Sequence, residues 1–132
     1  MACNARILTA GPIVAWTVGS SDGDFPITSP MEGASVKNAR FALEMRNRTA
    51  NATAKPIVRF SNDGVTWDSW AVWPAAYNGV SSNGITPYDT WVDLTAVATH
   101  KTFVQFGVKL VNSSGSANEL SMIALRIEVR DS

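Results

Sequence analysis

The strongest constraint on how this chain folds is a period of two in its apolar residues. Between Asn38 and Arg46, Ala39, Phe41, Leu43 and Met45 alternate with Arg40, Glu44 and Arg46. Between Thr102 and Val111, Val104, Phe106, Val108 and Leu110 alternate with Phe103, Gln105 and Lys109. Between Glu119 and Arg130, Ile123, Leu125, Ile127 and Val129 oppose Arg126, Glu128 and Arg130. Successive side chains of an extended backbone point to opposite faces, so each segment has one face to bury and one to leave in water. No segment carries the three-to-four-residue stripe of an amphipathic helix.

The rest of the chain reads as shorter strands and turns. Ala5 to Thr9 and Pro12 to Val18 are expected strands, followed by a Gly/Ser/Asp loop around Ser20 to Asp24. After the polar turn Asn47 to Thr53 comes a strand from Lys55 to Phe60, with Pro56 at its start or on an edge because proline cannot donate to a ladder. Ser61-Asn62-Asp63-Gly64 signals a tight reversal, after which Val65 to Trp73 is expected to resume as a strand bent near Asp68. Pro74 to Thr90, with Asn78-Gly79 and Asn83-Gly84, reads as one long loop, and a connection of that length in a folded domain usually has a function. At most a turn or two of helix is expected, with Asp93 to Thr99 the first place to look for it. The strands Thr102 to Val111 and Glu119 to Arg130, joined by the turn-type residues Asn112 to Asn118, are expected to form a hairpin.

Short strands, frequent turns and no helices predict an all-β fold, an antiparallel β-sandwich or jelly roll. Residues 1–132 are expected to form a single β-sandwich domain, a normal size for one core. That core should contain Phe41, Leu43, Val58, Phe60, Val104, Phe106, Val108, Leu125 and Ile127.

Composition narrows the function. Eleven Lys+Arg balance eleven Asp+Glu, with no basic stripe to neutralise phosphates, so no nucleic-acid partner is expected. No run approaches the roughly 18 apolar residues of a membrane span. The opening MACNARILTAGPIVAW lacks the pattern of a signal peptide, so synthesis in the cytosol is expected and the three N-x-S/T sequons read as turns. The lone cysteine, Cys3, allows no intrachain disulfide. One histidine, His100, makes a nucleophile–His–acid triad or a zinc site improbable. Ser21-Asp22-Gly23-Asp24 has the oxygen-rich look of a calcium loop without the ligand spacing of an EF-hand, and reads as a turn, with calcium at Asp22 and Asp24 the one exception. No glycine motif for phosphate is present. The expectation is a non-catalytic chain without cofactor or metal.

Ser61-Asn62-Asp63-Gly64-Val65-Thr66-Trp67 resembles the Asp-box turn of sialidase-like β-repeat proteins, though it lacks a residue between Asp and Gly and occurs once. In the Asp box these residues stabilise a turn and are not catalytic, so the resemblance implies a hairpin. The aromatics Trp67, Trp70, Trp73, Tyr77 and Trp91 form the other candidate site. Strand alternation would put Trp67 and Trp73 on one face and Trp70 on the other, leaving one ring in the core and another exposed. Exposed rings could stack on sugars as in carbohydrate-binding modules, or anchor a protein interface.

As a whole, the chain resembles small virion-associated accessory proteins that decorate phage capsids or tails with a β-sandwich. That resemblance implies docking on a protein assembly such as a capsid or tail, residence in the virion, and homo-oligomers, often trimers. The alternative partner is carbohydrate. The interface or ligand-binding candidates are Tyr77, Tyr88, Trp70, Trp73 and Trp91. The docking surface is expected on the Pro74 to Thr90 loop and an uncovered strand edge, across which Met1 to Thr9 could be laid.

Overall fold

The computed structural model describes residues 5–17, 22–33, 36–47, 52–81, 84–87, 90–94, 102–112 and 119–131. The described secondary structure is β throughout: β1 (Ala5–Thr17), β2 (Gly23–Pro26), β3 (Met31–Glu32), β4 (Asn38–Asn47), β5 (Ala52–Ser61), β6 (Ala71–Val72), β7 (Val80–Ser81), β8 (Ile85–Thr86), β9 (Val92–Asp93), β10 (Phe103–Asn112) and β11 (Glu119–Arg130). They build two antiparallel sheets. One runs β1-β11-β4-β8, with β9 also on β4; the other runs β2-β10-β5-β6, with β3 on β10 and β7 on β5. This is a β-sandwich of jelly-roll type.

The long strands lie where the alternation places them, and their inward residues form the core. Phe41, Leu43 and Met45 of β4 and Ile123, Leu125, Ile127 and Val129 of β11 face Val58 and Phe60 of β5 and Val104, Phe106, Val108 and Leu110 of β10. All nine expected core residues are buried there.

Several expectations need correction. β10 and β11 are not a hairpin: β10 pairs with β5 and β11 with β4, so the connection crosses between sheets. Alternation states which face is buried and is silent on the neighbour; crossing lets both apolar faces meet in one core. Ala5–Thr17 is one strand, with its register against β11 shifting between Ala10 and Ile13, where Gly11-Pro12 interrupts the ladder. Gly23 and Asp24 lie in β2 and not in a loop. Val65 to Trp73 is not a strand; only a bridge at Trp67 and the two-residue β6 pair with β5. Pro74 to Thr90 is not a plain loop, since β7 pairs with β5 and β8 with β4. Asp93 belongs to β9, and residues 95–99 lie outside the described residues.

A second, smaller packing layer covers the outside of the β2-β10-β5 sheet. Ile57 points outward from β5, yet is only 1% exposed and stands apart from the sandwich core. Directly across from it is Gly107 of β10. A Cβ added at Gly107 would sit 2.5 Å from the Phe25 carbonyl oxygen and 3.1 Å from Trp70 Cη2. Glycine there lets β2 and the Trp70 indole close down on the sheet. Phe25 is held by its ladder with Val108 and cannot easily retreat. Gly107→Ala is therefore expected to cost about 1–3 kcal/mol by overpacking, read as a lowered denaturation midpoint together with a changed Trp70 fluorescence environment.

Candidate functional site

The segment from β6 to β9 closes one side of the sandwich by stepping from one sheet edge to the other. β6 and β7 pair with β5, and β8 and β9 then pair with β4. Trp73, 1% exposed, plugs the space between the sheets, 5.1 Å from the Phe41 ring and 5.5 Å from the Phe106 ring, both edge-on. Tyr77 packs on Phe41 at 5.2 Å, and its hydroxyl hydrogen-bonds Thr86 Oγ1 at 2.7 Å.

β4 is paired with β11 along its whole length, and on its other side, among the described residues, with two short strands. β8 meets Leu43 and Glu44, and β9 meets Asn38 and Ala39. Pro87, Thr90 and Trp91 lie between these two pairings in the sequence. A cleft of about 350 Å³ opens there, lined by Phe41, Pro74, Tyr77, Thr86, Pro87, Thr90, Trp91 and Val92. It is apolar and aromatic, near the lower size limit of ligand pockets. Its rim is charged. The Arg40 and Arg130 guanidinium carbons lie 4.5 and 3.9 Å from the centre of the Trp91 ring. Arg40 also donates twice to Glu128 Oε2, at 3.0 and 2.9 Å, across the β4–β11 ladder. The arginines hold the half-buried indole in one orientation by cation–π attraction.

Trp67 and Trp70 form a separate cluster on the opposite sheet. The Arg59 guanidinium lies 4.7 Å from the Trp67 ring centre and 4.5 Å from that of Trp70. Gln105 Oε1 accepts from Arg59 Nε and Nη2 at 2.8 and 2.6 Å, while Gln105 Nε2 donates to the Thr28 carbonyl at 2.9 Å. Trp67 and Trp70 thus share one cation and one side of the molecule, which corrects the expected split that grouped Trp67 with Trp73. The segment does not keep strand geometry through Asp68 to Trp70, so alternation does not apply to it.

The Asp-box-like sequence does form a turn. Asp63 Oδ1 accepts the backbone N–H groups of Val65 and Thr66 at 2.8 and 2.7 Å, and Ser61 Oγ accepts that of Gly64 at 2.9 Å. The single Ser61 hydroxyl proton lies between the Thr66 carbonyl at 2.6 Å and Asp63 Oδ1 at 3.0 Å. Gly64 takes a φ of 76°, open to glycine at no steric cost. The Thr66 and Val65 amides, then the Ser61 hydroxyl, hold the Asp63 carboxyl below its usual pKa. A carboxyl with a depressed folded pKa contributes stability above its unfolded pKa, and that contribution is lost as pH falls through the folded value. In an acid titration the Val65 and Thr66 amide resonances are expected to move with a midpoint below the ordinary aspartate value of about 3.9. Asp63→Asn, which keeps an acceptor oxygen, should abolish that titration.

Of the five candidates, Tyr77 and Trp91 come together at the cleft. Trp70 lies on the far sheet. Trp73 is in the core and presents no surface, because its ring fills the gap between the two sheets. Tyr88 lies outside the described residues, as do Cys3 and His100. Asp24 is on a strand with its carboxylate 3.3 Å from Lys109 Nζ, and among the described residues no group of three or more His, Cys, Asp or Glu could hold a metal. Sequence reasoning missed Arg40, Arg59 and Arg130, the cations that fix the indoles. Their signal was present only as outward positions facing aromatic segments of unknown path.

No protein-family model matches the chain, and no curated protein matches it in sequence. Its fold has clear counterparts among solved structures. The VP2 subviral particle of infectious bursal disease virus superposes with a TM-score of 0.63 at 12% identity, over 98% of this chain and 33% of that one. The Gx strain of the same virus gives 0.60 at 12% identity, over 96% and 32%. A mutant VP2 protein in derived T=1 particles gives 0.60 at 13% identity, again over 96% and 32%. The chain thus spans about a third of the length of these structures, and at such identities the likeness is one of fold.

Proposed function

We propose that this chain is a non-catalytic structural protein of a virion, a decoration or cement protein that docks on a protein shell and self-associates. Residues 1–132 act in this reading as one β-sandwich domain, made in the cytosol and incorporated into the particle. The observation that carries it is the correspondence of nearly the whole chain, 96–98%, with a jelly-roll third of a protein whose solved forms are viral particles.

Three of the four exposed large apolar side chains among the described residues support it; the fourth, Val65, lies in the Asp63 turn. Ile7, Ile85 and Met122 are 52%, 68% and 49% exposed, and all three lie on the outer face of the sheet that contains β4 and β11. Ion pairs between them are closed laterally, Arg40 with Glu128 and Arg46 with Glu44, so their charges are already matched within the sheet. Covering a face whose charges are already paired costs less than burying the same charges unpaired. Sugar binding has less support, because arginines lie over the Trp67, Trp70 and Trp91 rings that would have to stack on it.

Sedimentation velocity over a wide concentration range tests the assembly. The wild type is expected to self-associate, and Ile85→Asp to shift it toward monomer with an unchanged melting temperature, since that side chain is mostly solvated. A wild type that stays monomeric at every concentration and binds a glycan array would overturn the reading.

A further inference from the structure

The outer face of the β1-β11-β4 sheet has the extent, the relief and the charge balance to be covered by a second copy of itself. β1, β11 and β4 are 13, 12 and 10 residues long and lie side by side. At about 3.3 Å per residue and about 4.8 Å between strands, they present roughly 550 Å². Two such faces bury roughly 1,100 Å² together, and specific interfaces begin near about 1,000 Å².

The face is raised at its ends and low in its middle. Ile7 lies opposite Glu128, six residues along β11 from Met122, so these two exposed side chains stand about 20 Å apart. Between them lie the small, half-buried Ala42 and Ala124, on outward positions of β4 and β11. The charges around them are engaged within the chain. Arg40 pairs with Glu128 and Arg46 with Glu44, Arg130 stacks on Trp91, and Arg126 is engaged as well. With Asp93 of β9 on the same face, four arginines stand against three acids. A strongly charged partner finds little here to attract it, whereas a second copy meets a nearly neutral surface like its own.

We propose that two copies of this chain pack face to face through this sheet, related by a two-fold axis that crosses the strands at mid-face. That axis sets the Ile7 end of each copy on the Met122 end of the other. It also closes the pair, since both copies use the same patch. Two twisted sheets stack in such an aligned way at a separation of about 10 Å. The pair gives the self-association proposed above, on which this inference rests, its surface and its stoichiometry.

Sedimentation velocity and peroxide oxidation of Met122, read by mass spectrometry, test the pair on the isolated chain. The wild type should reach a dimer at high concentration. Met122 should then oxidise at least threefold more slowly than in dilute solution, while Met31 on the opposite sheet keeps its rate. Ala124→Arg fills the low middle, and Met122→Lys removes one apolar end; each adds a fifth cation and should weaken the dimer at least tenfold. Met122 is 49% exposed, so its variant leaves the monomer folded even if Ala124→Arg does not. Val65→Arg, on the exposed Asp63 turn, should associate like the wild type. If the chain associates while Met122 keeps its dilute-solution rate, or while Met122→Lys associates normally, this face is not the interface although self-association stands. A chain that is monomeric at every concentration overturns both.

Discussion

Phe106→Ala is expected to remove about 3–5 kcal/mol of stability, the range for truncating a buried aromatic ring. The upper part of that range is favoured by what surrounds the site. Phe106 is fully buried at the middle of β10, with the Trp73 ring against it. Its backbone is pinned on both groups: the N–H donates to Thr28 Oγ1 at 3.0 Å, and the carbonyl accepts from Ile27 and Thr28 at 2.9 and 3.2 Å. A strand so anchored cannot move inward to fill the space left by the ring, so the cavity persists. Against a total stability of about 5–15 kcal/mol, the variant would be marginal at room temperature. Urea denaturation should show a much lower midpoint with an unchanged slope. A loss below about 1.5 kcal/mol would mean that the seam between the sheets is packed differently.

Trp73→Ala should be comparably severe, about 3–5 kcal/mol, but for an additional reason. The indole is the contact through which the edge-closing segment grips both sheets, since it touches Phe41 of β4 and Phe106 of β10. Its loss should loosen residues 71–93 before the long strands melt, visible as faster amide exchange at Val80 and Val92 under native conditions. Trp73→Phe is expected to lose less than half as much. It keeps a ring between Phe41 and Phe106 and removes Trp73 Nε1, a buried donor with no partner among the described residues. Because the two rings touch, the Phe106/Trp73 double variant should show coupling of about 0.5–3 kcal/mol.

The contrast between these two sites shows what could be read in the sequence. Phe106 lies in a ten-residue alternating run, and such a run states its own buried face, so the long strands and their core residues were legible nearly to the residue. Which strand each would pair with was not, because β10 and β11 present the same pattern whether they share a sheet or face each other. Trp73 lies in a stretch whose strands, β6 to β9, are two residues long. Two residues carry no periodicity, and these strands exist only because the edges of β4 and β5 are there to receive them. The Asp63 turn was legible because its bonds are local, within six residues. The cleft was half legible. Tyr77 and Trp91 were named, but the arginines that orient Trp91 reach it from β4 and β11, distant in sequence.

The most direct measurement of the central claim is quantitative mass spectrometry of virus particles purified from the source that encodes this chain. On the proposed reading it is present at a fixed ratio to the major shell protein and retained through gradient purification. If the purified particles lack the chain, or carry it only in trace and variable amounts, it is not a component of the shell and the account is wrong.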